Sequence, residues 1–213
     1  MKLVIATSNA GKLREIQELL NPILPWEIVS LANFPPFEMP SEDGETMAEN
    51  ARIKAIFCMN KLHIPCLADD SGLEVDALNG EPGVRSARWY PGTDQDRSAA
   101  LLARLQDVPK NQRTARFRCA LCLATSEEDL REVEATCEGN IAIKPRGDNG
   151  FGYDPIFEIS AASGSDSALI GRTMAEIMPS QKAQLSHRAR AMTLLIENIG
   201  KHNSLSPAGR ELG

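Results

Sequence analysis

The chain of 213 residues lacks long apolar runs, has few aromatic residues and carries no excess of basic charge. No stretch approaches the roughly 20 apolar residues that a bilayer-spanning helix needs, and the apolar stretch after Met1 is too short for a signal peptide. We therefore expect a cytoplasmic protein with no membrane partner. The net charge of −6 gives no overall field that would recruit nucleic acid, so a polyanionic ligand would need a local basic pocket or a metal.

Cysteine is scarce, and its count of five is odd, which argues against a secreted disulfide framework. Cys119 and Cys122 have C-x-x-C spacing, but they fall in a predicted strand. An odd offset along a strand places the two sulfur atoms on opposite faces. No second pair and no nearby histidine completes a metal site. We interpret this pair as buried structural cysteines.

The hydropathy pattern predicts one α/β domain over residues 1–200 and a disordered tail over 201–213. A strand over 2–6, a helix over 11–20 and a strand over 27–29 predict a βαβ start. Further helices are predicted over about 45–62, 94–105 and 182–199, and further strands over 65–68, 73–75, 114–125, 133–139 and 141–144. No repeat or linker marks separate domains, and the long central strands are expected to carry two lobes.

Residues 67–73, Leu-Ala-Asp-Asp-Ser-Gly-Leu, place two adjacent carboxylates after a predicted buried strand. Two like charges side by side repel each other, and each costs free energy to remove from water. A divalent cation would offset that cost. A turn in which Asp and Ser make local hydrogen bonds would also explain the segment. The segment alone favours neither interpretation.

Residues 7–12, Thr-Ser-Asn-Ala-Gly-Lys, lie between the first predicted strand and helix. Backbone N–H groups at such a helix start bind phosphate well, and Lys12 adds a positive charge. The spacing is not that of a Walker A loop. Ser8 or Asn9 could instead simply cap the helix. The acidic segment 41–45 could add one glutamate to a metal site, but spacing alone selects none.

Two later motifs also suggest ligand binding. The glycine-rich loop 144–155 presents Phe151 and Tyr153 beside Asp154, an arrangement suited to stacking on a flat base, although we expect at least one ring to pack into the core. At the last helix, Ser186 as a cap would place His187 and Arg188 in the first turn. A basic pair there opposes the helix dipole, so an anionic or carbonyl-bearing ligand would explain it.

Together with Glu49-Asn50-Ala51, these motifs resemble the non-canonical purine nucleoside triphosphate pyrophosphatases in order and approximate spacing, over about residues 3–195. The resemblance implies an enzyme that hydrolyses the α–β phosphoanhydride of ITP, dITP and XTP to the monophosphate and pyrophosphate, and so cleanses the nucleotide pool. It also implies a Mg²⁺-dependent homodimer with an elongated mixed β-sheet, whose flanking helices form two lobes around a nucleotide cleft.

The same resemblance implies roles for particular residues. Asp70 is expected to accept the proton of the attacking water, and Glu42, Asp69 and Asp70 are expected to form the metal region. Arg188 and backbone amides are our candidates for donors to the purine O6. Guanine must be rejected at the 2-position, and the sequence does not show how. The expected substrate-binding residues are Thr7, Ser8, Asn9, Ala10, Gly11, Lys12, Ser71, Phe151, Gly152, Tyr153, Asp154, Lys182, His187 and Arg188.

Two other functions fit part of the pattern. A nucleotide-binding module without catalysis would share the phosphate and base motifs, but it would not need the carboxylate pair Asp69-Asp70. A related pyrophosphatase for modified pyrimidine nucleotides would share the opening strand, turn and helix, but it would lack the Ser-His-Arg motif at 186–188.

Overall fold

A computed structural model describes residues 1–23 and 25–203, and through these residues runs one sheet of six strands. The strands stand in the order β2-β1-β3-β4-β5-β6. The first strand is parallel to its two neighbours, and all other pairs are antiparallel. This arrangement confirms the predicted mixed α/β fold and its βαβ start. The strands are β1 Lys2–Ile5, β2 Glu27–Ser30, β3 Cys66–Val75, β4 Thr114–Ala124, β5 Leu130–Ile141 and β6 Phe157–Ile159.

Five α-helices lie in the described residues, and side chains fix where several of them begin. Asn9 caps the first helix by accepting a hydrogen bond from the Lys12 N–H, and Thr46 and Thr93 form capping boxes at the next two. No helix in this part of the chain has both the length and the apolar character needed to cross a bilayer. The helices are α1 Ala10–Leu20, α2 Met47–Leu62, α3 Asp94–Arg104, α4 Pro179–Leu185 and α5 His187–Asn203.

The long strands β3, β4 and β5 carry two lobes. In one lobe α2 packs on one face of the sheet, and α1 and α5 pack on the other. In the second lobe, the far ends of the strands pack with α3 and β6 around Phe117 and Phe157. Cys119 and Cys122 belong to core clusters on opposite faces of the first lobe, as their odd spacing predicts.

The carboxylate pair lies in the middle of β3 and not at a turn. Every residue of this strand from Cys66 to Val75 pairs with β4, so the two predicted short strands with a turn between them are wrong. The unbroken ladder with β4 satisfies one edge of the strand, side chains such as Ser86 and Lys54 bond to backbone groups on the other edge, and buried cations described below compensate the charges. Because successive strand residues point to opposite faces, Asp69 faces α1 and α5 whereas Asp70 faces α2.

Other predicted boundaries also change. The last helix is divided at Ser186, whose backbone is extended and whose Oγ accepts a hydrogen bond from the Ala189 N–H, 3.2 Å away. No strand forms over 141–144, because β5 ends at Ile141 and the Ala142 N–H bonds to the Ile156 carbonyl. Helix α5 continues to Asn203, so the expected tail does not begin at residue 201. The rest of that expected tail, 204–213, lies outside the described residues.

A substitution in β3 tests how tightly the segment 83–86 packs on this strand. A Cβ atom at Gly72 would lie 2.3 Å from the Gly83 carbonyl oxygen and 2.6 Å from Ser86 Oγ. The Ser86 side chain cannot easily move away, because its Oγ accepts a hydrogen bond from the Leu73 N–H and donates one to the Gly83 carbonyl oxygen. Gly72→Ala should therefore lower the free energy of unfolding in urea by about 1–3 kcal/mol.

The matched control is Gly200→Ala in α5, where an added Cβ meets nothing within 4 Å. It should leave the free energy of unfolding unchanged or raise it by up to about 1 kcal/mol, because alanine favours the helix. Equal effects of the two substitutions would contradict the close approach at Gly72.

Candidate active site

A cleft of about 120 Å³ lies where the two lobes meet, and most of the predicted substrate-binding residues line it. Gly11 lines a neighbouring cavity of about 250 Å³ behind Phe151. Thr7 and Ser8 form the turn that leads into α1, and Ala10 is its first residue. The predicted residues in the cleft wall are Asn9, Lys12, Ser71, Phe151, Gly152, Tyr153, Asp154, Lys182, His187 and Arg188.

Asp69 is a buried anion whose two oxygen atoms are both occupied by donors. Its Oδ1 lies 2.5 Å from Lys12 Nζ and accepts from Ser71 Oγ at 2.6 Å. Its Oδ2 accepts from Arg188 Nε at 2.9 Å and from Cys119 Sγ at 3.1 Å. Burial acts to raise the pKa of Asp69, but the charges of Arg188 and Lys12 hold it well below its usual range. Asp69 therefore joins β3 to the starts of α1 and α5.

A line of ion pairs continues from Arg188 to the aromatic loop. The Arg188 guanidinium contacts the carboxylate of Glu15, which also pairs with Lys182 at 2.7 Å. Lys182 in turn lies 2.6 Å from Asp154 Oδ2, and this oxygen also accepts the Phe151 N–H at 2.9 Å. The position of the loop is therefore coupled through side-chain charges to α1.

His187 is buried and uncharged, which explains the apparent basic pair at the start of α5. Burial and the nearby charge of Arg188 lower its pKa well below the usual range. Its ring stacks on Phe117, with centroids 4.8 Å apart. Among the described residues its Nδ1 has no hydrogen-bond partner. Only Arg188 is charged here, and its carboxylate partners offset the unfavourable helix dipole.

Asp70 lies on the other face of β3 and has a different environment. Its Oδ1 is 3.2 Å from Lys54 Nζ, and its Oδ2 is 3.4 Å from Asn50 Nδ2. Burial raises the pKa of Asp70, although Lys54 opposes the shift. The pKa values of the adjacent residues Asp69 and Asp70 are thus shifted in opposite directions.

Glu42 and Asp70 converge on the same cation. Lys54 Nζ lies 2.8 Å from Glu42 Oε1 and also donates to the Asp69 carbonyl oxygen at 2.8 Å. Carboxylate oxygens that meet at one positive charge fit a hard cation such as Mg²⁺. Within the described residues, no three acidic, histidine or cysteine side chains are grouped to hold a metal. Two carboxylates with further ligands from phosphate would match the usual coordination of Mg²⁺.

Phe151 and Tyr153 differ in burial, as expected for this loop. Tyr153 is 4% exposed, and its hydroxyl donates to the Ser86 carbonyl at 3.0 Å. Phe151 is half-buried; its ring rests against Gly11, and Lys182 Nζ lies 4.9 Å from the ring centroid. Phe151 is thus the ring that borders the cleft.

Lys54 and Glu15 are charged residues of the site that belong to none of the sequence motifs. Lys54 lies in the apolar stripe of α2, four residues after Asn50 and four before Cys58. A lysine within an apolar stripe indicates a buried charge that needs a partner, so the sequence does point to this residue. Glu15 follows Lys12 by three residues and therefore shares its face of α1. That spacing places Glu15 near the phosphate motif, but the sequence does not reveal its distant partners.

Comparisons with known proteins give one consistent result. A sequence model of the Ham1 family matches residues 3–198. The chain is 49% identical to a dITP/XTP pyrophosphatase from Geobacillus kaustophilus, over 92% of this chain and 93% of that protein. It is 45% identical to a dITP/XTP pyrophosphatase from Geobacter sulfurreducens, over 93% of this chain and 96% of that protein.

Solved structures agree. The Ham1 protein of Staphylococcus aureus superposes with a TM-score of 0.80 at 33% identity, over 95% of this chain and all of that one. A nucleoside-triphosphatase (dITP/XTP pyrophosphatase) from Mycobacterium abscessus superposes with a TM-score of 0.69 at 42% identity, over 92% of this chain and 99% of that one.

The opposite environments of the two aspartates predict different stability effects. Asp69→Asn should lower the free energy of unfolding by about 3–5 kcal/mol, because it leaves Lys12 and Arg188 buried without their shared anion. Asp70→Asn should cost about 1 kcal/mol or less, because Lys54 keeps Glu42 as a partner. Urea unfolding at pH 7 measures both.

The pH dependence provides the control. The pKa of Asp69 is lower in the folded than in the unfolded state, so its stabilising effect is complete above the usual value of 3.8 and is lost as the pH falls further. The difference between the wild type and Asp69→Asn should therefore shrink below about pH 4. Equal losses for the two variants at pH 7 would contradict the assignment.

Proposed function

The chain belongs to the Ham1 family, and we propose that it is a nucleoside triphosphate pyrophosphatase for dITP, ITP and XTP. It hydrolyses the α–β phosphoanhydride and releases the monophosphate and pyrophosphate, which removes non-canonical purine nucleotides from the pool. One observation carries the proposal beyond the family relation: Lys12 at the start of α1, the ring of Phe151 and Arg188 line one cleft, and Asp69 of β3 binds both Lys12 and Arg188.

The phosphates are bound at the start of α1. The first N–H groups of a helix lack partners within the helix and carry partial positive charge, which suits a phosphate. Lys12 lies at this end and lines the cleft. The base stacks on Phe151, which borders the same cleft.

Glu42 and Asp70 would hold Mg²⁺, because both carboxylates lie within ion-pair distance of Lys54 Nζ and can therefore approach one cation. When bound, the ion neutralises negative charge on the phosphate oxygens and makes the anhydride easier to attack. Asp69 contributes differently, since donors already occupy both its oxygen atoms. It fixes the cations Lys12 and Arg188 that border the cleft.

Asp70 accepts the proton from the attacking water. Within the described residues its Oδ2 has a single long contact, 3.4 Å from Asn50 Nδ2, which leaves this oxygen able to accept a proton. Water forms a bond to one phosphorus of the α–β anhydride while the bond from phosphorus to the bridging oxygen breaks. The leaving phosphate group takes the electron pair, and the water proton passes to Asp70.

The 6-keto group of the base is recognised at the side of the cleft formed by Lys182 and Arg188. Arg188 donates to Asp69, Glu15 and Ser71 through three different nitrogen atoms. A guanidinium has five N–H groups, so two remain for an acceptor such as O6. From the family relation we also propose that the enzyme is a cytoplasmic homodimer with neither nucleic-acid nor membrane partners.

A substrate panel tests the proposed reaction. Purified protein with Mg²⁺ should release pyrophosphate from dITP, ITP and XTP much faster than from dATP or dUTP, and removal of Mg²⁺ with EDTA should abolish the release. Nucleotide binding without pyrophosphate release would indicate a binding module. A strong preference for dUTP would indicate a pyrimidine nucleotide pyrophosphatase.

Neutralising the proposed base tests the mechanism. Asp70→Asn should lower kcat for ITP by about a hundredfold or more, because the proton loses its acceptor. The affinity for ITP, measured by calorimetry, should change little. Asp107→Asn, at an exposed position outside the cleft, is the matched control and should keep the wild-type rate. A near-normal rate for Asp70→Asn would remove Asp70 as the base.

A further inference from the structure

The cleft has polar lining residues that the proposed function leaves without a role. Besides Lys182 and Arg188, the first turn of α3 contributes Asp94 and Arg97 to the lining. Arg97 was not expected from the sequence motifs, because it belongs to none of them.

Helix α3 is held against the aromatic loop, and this fixes the position of Arg97. Asp94 Oδ2 accepts the Gly152 N–H at 2.7 Å, and Asp94 Oδ1 lies 2.5 Å from Arg97 Nη2. Arg97 Nη1 also donates to the Gly92 carbonyl at 2.8 Å. The guanidinium is therefore oriented by α3 itself beside the loop that carries Phe151.

Arg97 differs from the other cations of the cleft in how it is paired. Lys12, Lys182 and Arg188 are each bound to a carboxylate whose side chain is at most 3% exposed. The Arg97 side chain is 16% exposed, and its carboxylate partner Asp94 is 46% exposed. Within the described residues, Arg97 donates from Nη1 to the Gly92 carbonyl and from Nη2 to Asp94. Its other N–H groups can therefore bind a ligand.

A base bound in this cleft offers Arg97 a partner at the purine 2-position. Carbon 2 and carbon 6 flank N1 in the ring, so a base that directs O6 toward Arg188 directs its 2-substituent to the other side of N1. That substituent is a hydrogen in hypoxanthine, an oxygen acceptor in xanthine and an amino donor in guanine.

We propose that Arg97 contacts the purine 2-substituent, and that it favours the 2-keto group of xanthine and disfavours the 2-amino group of guanine. The inference rests on the proposed function and adds a specificity residue to it. A hydrogen bond from a guanidinium to a carbonyl is charge-assisted and strong. An amino group at the same place would face donors and leave both partners unsatisfied, so discrimination is larger than one hydrogen bond alone would give.

The test compares substrates within each variant, since ratios of kcat/KM do not depend on the folded fraction. Arg97→Met keeps an unbranched apolar stem but removes every donor, and it should lower the XTP-to-ITP ratio of kcat/KM about tenfold. Arg97→Gln supplies an amide oxygen that can accept from the 2-amino group, and it should raise the GTP-to-ITP ratio severalfold. All assays contain Mg²⁺.

Arg104→Met is the matched control, because Arg104 lies on the same helix but packs over Trp89, outside the cleft. It should keep both wild-type ratios. The proposal is overturned if the Arg97 variants hydrolyse ITP with both ratios unchanged, or if all three substrates decline together, which would make Arg97 only a support for the loop. If wild-type protein releases no pyrophosphate from ITP or XTP, the proposed function itself fails.

Discussion

The buried carboxylate of Asp69 is the interaction on which the rest of the site depends. It lies in the middle of a central strand, and it binds one cation from the start of α1 and another from the start of α5. Three distant parts of the chain therefore meet at one anion. Without it, Lys12 would lose this anion and Arg188 would keep Glu15, so both cations beside the cleft would be held less firmly.

Strand geometry gives the two adjacent aspartates separate tasks. Because Asp69 and Asp70 point to opposite faces of β3, each meets its own set of cations and does not share a site with the other. Because of that separation, the pKa of Asp69 is lowered whereas the pKa of Asp70 is raised. A fully paired acid provides structure, whereas a buried and incompletely paired acid is suited to accept a proton.

Local patterns were sufficient to predict much of this molecule. Residue spacing and capping chemistry predict the βαβ start, the four longest helices and the cap at Ser186. They also indicate the motifs that line the cleft. The sequence pattern divides β3 at Asp69 and Asp70 and leaves a turn and a metal site equally open, because it does not identify partners for two charges inside a strand. Those partners, Lys12, Lys54 and Arg188, come from distant parts of the sequence. The neutral state of His187 likewise depends on burial that no local pattern reveals.

The ionic network through the cleft has a consequence for charge balance. It contains three cations and three carboxylates, so its sum is zero: Lys12, Arg188 and Lys182 against Asp69, Glu15 and Asp154. A neutral network provides no spare positive charge to a triphosphate, which carries several negative charges. Any anion that binds against these walls therefore adds negative charge that this network alone does not balance.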